Sequence, residues 1–151
     1  METKEFAIRL GVALLAGAAI GLERQIHRKS AGIRTNALVS IGAAVFTLIS
    51  LSFLDHESAD PTRIIGQIVT GIGFLGAGVI LHQGVSIQGL TTAATIWCSA
   101  AMGSLAAMGY FKEVVVFGVA IIFVNIVFRL IDENVINRFR KEKNKEEDKE
   151  N

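Results

Sequence analysis

The middle of this sequence has no charge. From Ile64 to Phe111 there is no Asp, Glu, Lys or Arg. That run is long enough for two bilayer crossings of about 20 residues each. Cysteine occurs once, at Cys98, which excludes an intrachain disulfide. The three histidines, His27, His56 and His82, are scattered and lack metal-ligand spacing. Gly-Lys-Ser/Thr, Gly-x-Ser-x-Gly and His-Glu-x-x-His are all absent. The expectation is a protein with no enzymatic activity, no cofactor, no metal centre and no nucleic-acid partner.

Apolar residues are abundant. They make up 51% of the 151 residues, and the mean hydropathy is +0.48. With long uncharged runs, this composition predicts an all-α protein in contact with a lipid bilayer. Five transmembrane helices are expected, over about 6–22, 37–54, 62–81, 90–108 and 114–131. A charged tail covers 136–151.

The first span carries Ala13, Gly17 and Gly21 four apart, a small-residue ladder for helix contact. Its Met1–Glu5 flank is not positive, which argues against a signal peptide. Arg9 can snorkel to the interface. A polar connection follows with Glu23, Arg24, Arg28, Lys29 and Arg34; Thr35 or Asn36 is expected to cap the second helix. A short acidic loop contains Asp55, Glu57 and Asp60. Asp60-Pro61 marks a helix start.

The third span is rich in glycine. Gly71, Gly73 and Gly76 match GxGxxG, but no strand precedes them and no acid follows at the dinucleotide-binding distance. Gly66, Thr70, Gly73 and Ala77 form one small stripe, and Gly71 and Gly78 lie on another face near Gln67. Small residues on two faces predict a central helix with neighbours on both sides, packed through Gly/Ala stripes. Thr91 and Thr92 are the expected caps of span four. Thr95, Ser99, Gly103 and Ala106 or Ala107 share one of its faces, and Trp97 at mid-span is expected to be buried against other helices. On span five, Gly118, Asn125, Arg129 and Asp132 form a stripe facing the bundle.

Charge counting orients the spans. The first connection and the tail from Arg129 hold eleven Lys/Arg against four elsewhere, which places the N-terminus outside and the C-terminus in the cytoplasm.

Four blocks in order, residues 21–25 (Gly-Leu-Glu-Arg-Gln), 31–39, 71–80 and 89–103, resemble the MgtC/SapB family of bacterial inner-membrane proteins. The resemblance implies a five-span domain with roles in growth at low magnesium, acid tolerance and survival in macrophages. It implies a regulator acting on a membrane-protein partner, an ATP synthase or a P-type ATPase; the small-residue stripes point as well to a second copy in a homo-oligomer. Transport of magnesium or another ion is the alternative. The virulence member carries a soluble C-terminal domain, so the chain reads as a short form. By motif, the candidate functional residues are Glu23, Arg24, Arg34, Asn36, Asp60, Arg63, Thr92, Trp97 and Cys98; Gln67, one turn below Arg63, joins them by its position. The packing residues are Gly17, Gly21, Gly66, Gly71, Gly73, Gly76 and Gly78.

Overall fold

The computed structural model describes residues 1–53, 60–83 and 86–150. Asp55 and Glu57 of the acidic loop, the end of span two at Leu54, and the side chains of the charged tail lie outside the described residues. Among the described residues there are five helices: α1 (Thr3–Ile26), α2 (Ile33–Leu51), α3 (Pro61–Gly78), α4 (Leu90–Ala107) and α5 (Phe111–Glu150). Four of them, α1, α2, α4 and the Phe111–Asp132 part of α5, are long and apolar enough to cross a membrane. The segment before α4, read from sequence as a loop, holds an antiparallel hairpin of β1 (Leu81–Gln83) and β2 (Ser86–Gln88).

The tight centre of the bundle is α1, α2 and α4. Their backbones touch where side chains are missing or small. A Cβ on Gly17 would lie 2.5 Å from the Asn36 carbonyl oxygen, and one on Gly21 would lie 2.5 Å from Ile33 Cα. A Cβ on Gly103 would lie 1.9 Å from the Ser40 carbonyl oxygen. Ala13, Ile20, Ala44, Leu48, Met102 and Ala106 fill the core between these contacts, joined by Val114 and Ile121 of α5. The face of α4 with Thr95, Ser99, Gly103 and Ala106 is buried, as its spacing predicts.

The glycine helix α3 is not the centre. It packs at the edge against α4 and, more lightly, α2. A Cβ on Gly66, Gly71, Gly73 or Gly78 would meet nothing within 4 Å, and one on Gly76 only Ala93 Cβ at 3.6 Å. Small residues on two faces permit close neighbours but do not supply them. The close approaches fall instead at Gly17, Gly21 and Gly103, where the facing positions are Ser, Asn and Gly-Ile backbone.

Two other expectations are corrected. Helix α2 begins at Ile33 after an extended Gly32, not at a Thr35 or Asn36 cap. Asn36 instead turns back, and its Nδ2 donates to the Ala31 and Gly32 carbonyls. Helix α4 is preceded by Gly89, not capped by Thr91 or Thr92. Gly89 has φ +92°, and a Cβ there would lie 2.1 Å from the Val79 carbonyl oxygen, so both conformation and space demand glycine. At the opposite end, Arg9 reaches the Ala107 carbonyl and Glu5. Asp60 caps α3 as predicted, accepting from Thr62 N at 3.0 Å and Thr62 Oγ1 at 2.6 Å.

Gly103→Ala is expected to destabilise the bundle by about 1–3 kcal/mol through overpacking. Gly73→Ala is expected to be neutral or to stabilise by up to about 1 kcal/mol through helix propensity. Thermal unfolding in detergent compares the two. The Thr62 hydroxyl, then its backbone N–H, holds the Asp60 carboxyl below the usual carboxylate range, with Arg63 adding to this. A depressed carboxyl stabilises the folded turn above its unfolded pKa and loses that contribution as pH falls through its folded pKa. Hydrogen exchange of the first-turn amides of α3 is therefore expected to speed up on acidification beyond its intrinsic pH trend. Asp60→Asn should remove that excess.

Candidate functional site

Glu23 and Arg24 are consecutive on α1, so they point about 100° apart and meet different helices. Helix α1 runs four residues past the expected span end at residue 22, which carries both side chains into the bundle. Glu23 turns to α5, where its Oε2 accepts from Asn125 Nδ2 at 3.1 Å. Its Oε1 lies 2.8 Å from His27 Nδ1 on the next turn. Arg24 turns to α4 and donates from Nη2 to Thr92 Oγ1 at 2.8 Å. Ser30 Oγ lies 3.3 Å from the same hydroxyl. Glu23 is 7% exposed and Arg24 4%.

Glu23, Arg24, His27, Thr92 and Asn125 bound a cavity of about 520 Å³ at the end of the bundle where α1 stops and α4 starts. Lys29, Arg129 and Asp132 add charge to its wall. Thus Asn125, Arg129 and Asp132, one stripe on α5, belong to the site together with His27 and Lys29. Their 4-3 spacing carried the signal for facing the bundle. What the spacing lacked was which end of α1 and α4 they would meet.

Elsewhere the candidates scatter. Asn36 is fully buried, with its Oδ1 accepting from Ser99 Oγ at 2.8 Å. It belongs with two further bonds, Ser40 Oγ to the Ala13 carbonyl at 2.8 Å and Thr47 Oγ1 to Ser104 Oγ at 3.1 Å. This set ties α1, α2 and α4 together inside the bundle. Arg34 is exposed on the first turn of α2, and Asp60 and Arg63 are exposed at the start of α3. Gln67 and Gly71 line an apolar cleft of about 590 Å³ between α2 and α3. Trp97 is not buried as expected. It is 49% exposed and lines another apolar cleft with residues of α3 and with Phe117. The reason is the edge position of α3, which leaves that side of α4 thinly covered. Cys98 is half-buried against the core.

Asn36→Leu leaves the Ser99 hydroxyl and two carbonyls without their side-chain partner. It is expected to cost about 1–3 kcal/mol, read by thermal unfolding in detergent.

Known proteins show the family of the chain. Residues 10–134 match the family model of the MgtC family. The uncharacterized protein slr0014 of Synechocystis is 49% identical over 129 residues, covering 85% of this chain and 54% of that protein. Protein MgtC of Salmonella typhimurium is 50% identical over 124 residues, covering 82% and 52%. YhiD of Escherichia coli K12, whose name proposes magnesium transport, is 44% identical over 143 residues, covering 87% and 66%. The chain spans about half to two thirds of the length of these relatives. No solved structure matches it. With a family match across most of its length and four helices fit to cross a bilayer, this chain belongs to the MgtC family of membrane proteins.

Proposed function

We propose that this protein is a regulatory or interaction protein of the bacterial inner membrane, without catalytic activity, that works through the Glu23–Arg24 cavity. The observation that carries the reading is the division of that pair. One buried acid and one buried base each engage a different helix, so anything that binds the cavity acts on α1, α4 and α5 together. The eleven-to-four charge asymmetry supports an outside N-terminus and a cytoplasmic C-terminus. The cavity then opens at the cytoplasmic boundary, where a membrane-protein partner such as an ATP synthase or P-type ATPase, or a second copy, has access. Adaptation to low magnesium and to acid, and survival in macrophages, is the physiological role proposed with it.

Magnesium transport is the second reading, favoured by the name of YhiD and by the Glu23 and Asp132 carboxylates in the lining of one cavity. A path for a dehydrated divalent cation needs several oxygen ligands. Between the two ends of the bundle, α1, α2 and α4 carry no carboxylate. The hydroxyls of Ser40, Thr47, Ser99 and Ser104 and the Asn36 amide are hydrogen-bonded across helix contacts.

Reconstitution in liposomes separates the readings. The regulatory role predicts magnesium flux no greater than in empty vesicles. It also predicts that Glu23→Gln and Thr92→Val, at normal protein levels, lose at least about tenfold in support of growth at low magnesium. Flux that Glu23→Gln abolishes establishes transport instead.

A further inference from the structure

The cavity holds more positive than negative groups. Arg24, Lys29 and Arg129 line it against the carboxylates of Glu23 and Asp132. Glu23 is already engaged through both oxygens, by His27 and by Asn125. Arg24 is not satisfied to the same degree. It is 4% exposed, its bond to Thr92 is to a neutral hydroxyl, and its Nε has no hydrogen-bond partner among the described residues. A guanidinium carries five N–H donors and no acceptor. Buried donors without acceptors are costly, and the guanidinium lines the cavity with N–H groups beyond its one bond to Thr92 to offer an anion there.

The start of α4 makes the same demand independently. This 18-residue helix has no side-chain cap, and Gly89, Leu90, Thr91 and Thr92 all line the cavity. The first N–H groups of a helix lack intrahelical acceptors, and the helix dipole makes that end positive. Both features call for a compact anion with several acceptor oxygens. The mouth of the cavity is different in kind. Ile87, Leu90, Val124 and Phe128 are apolar and exposed there, which matches the glycerol and acyl portion of a lipid.

We propose that the cavity binds a phosphate group, seated beside the Arg24–Thr92 contact where the guanidinium and the first turn of α4 both line the cavity, with Lys29 at its rim. An anionic phospholipid headgroup and free phosphate offer the same oxyanion; the apolar mouth favours the lipid. The inference deepens the regulatory reading by naming what the cavity holds. It is tested by binding alone, so its failure leaves the regulatory reading standing.

The full chain, purified in a phosphate-free detergent, is titrated with phosphatidylglycerol, with diacylglycerol of the same acyl chains, and with inorganic phosphate. Bound lipid is read by native mass spectrometry and stabilisation by thermal unfolding. The expected result is binding of phosphatidylglycerol and not of diacylglycerol, weakened at least about tenfold by Arg24→Gln, as loss of a charge-assisted contact predicts. Stabilisation by inorganic phosphate alone, lost in the same variant, also supports the site and makes free phosphate its source. Should Arg24→Gln not fold, the exposed Lys29→Gln decides, with a several-fold loss expected. The proposal is overturned if neither phosphate source binds. Phosphatidylglycerol binding that is unchanged in the deciding variant, or equal to diacylglycerol binding, also overturns it.

Discussion

Everything in this bundle depends on how closely three backbones approach. At Gly103 the α4 chain lies so near the Ser40 carbonyl that a single methyl would sit 1.9 Å from its oxygen. Gly17 and Gly21 bring α1 onto the start of α2 in the same way. Lipid offers no hydrophobic drive to push helices together, since its tails are as apolar as their side chains. Association then rests on dispersion contact and on hydrogen bonds that water does not compete for. Small residues serve both, because they let carbonyls and hydroxyls of neighbouring helices reach each other. Ser40 binding the Ala13 carbonyl is possible only because α1 and α2 touch at Gly17.

That closeness divides the polar groups into two sets. Inside, the hydroxyls and the Asn36 amide form short bonds between α1, α2 and α4 and keep the trio in register. At one end, Glu23, Arg24, Thr92 and Asn125 come together around a cavity, with the hairpin and the α5 stripe as walls. The interior set stabilises. The boundary set keeps an incompletely satisfied arginine, a costly arrangement that a purely structural helix end does not need. The outer surface is apolar, as at Leu15, Leu38 and Val116, and fits lipid.

Much of this was legible in the residues. Uncharged runs gave the helices, and Asp60-Pro61 gave the start of α3 because capping is local chemistry. The 4-spaced ladder in α1 and the Thr95–Ser99–Gly103 face of α4 predicted contact, and both are buried. The glycines of α3 misled. Period and residue size give a face that can be packed, while the neighbour itself is a tertiary fact. Trp97 failed for the same reason. Of the site, Glu23, Arg24 and Thr92 came from motif blocks and Asn125 from the α5 stripe, but their convergence needed the order in which α1, α4 and α5 pack. The Asn36 cap failed because Gly32 and the left-handed Ala31, φ 56°, set the helix start instead.

The central claim is that α1 and α5 meet at this cavity. With Cys98 replaced by serine, cysteines at Glu23 and Asn125 in native membranes, treated with a short bifunctional thiol reagent, test it directly. The account predicts an intramolecular cross-link, with none for Glu23 paired with Val116, which lies toward the other end of α5. Cross-linking of the two pairs at equal rates, or of neither, contradicts it.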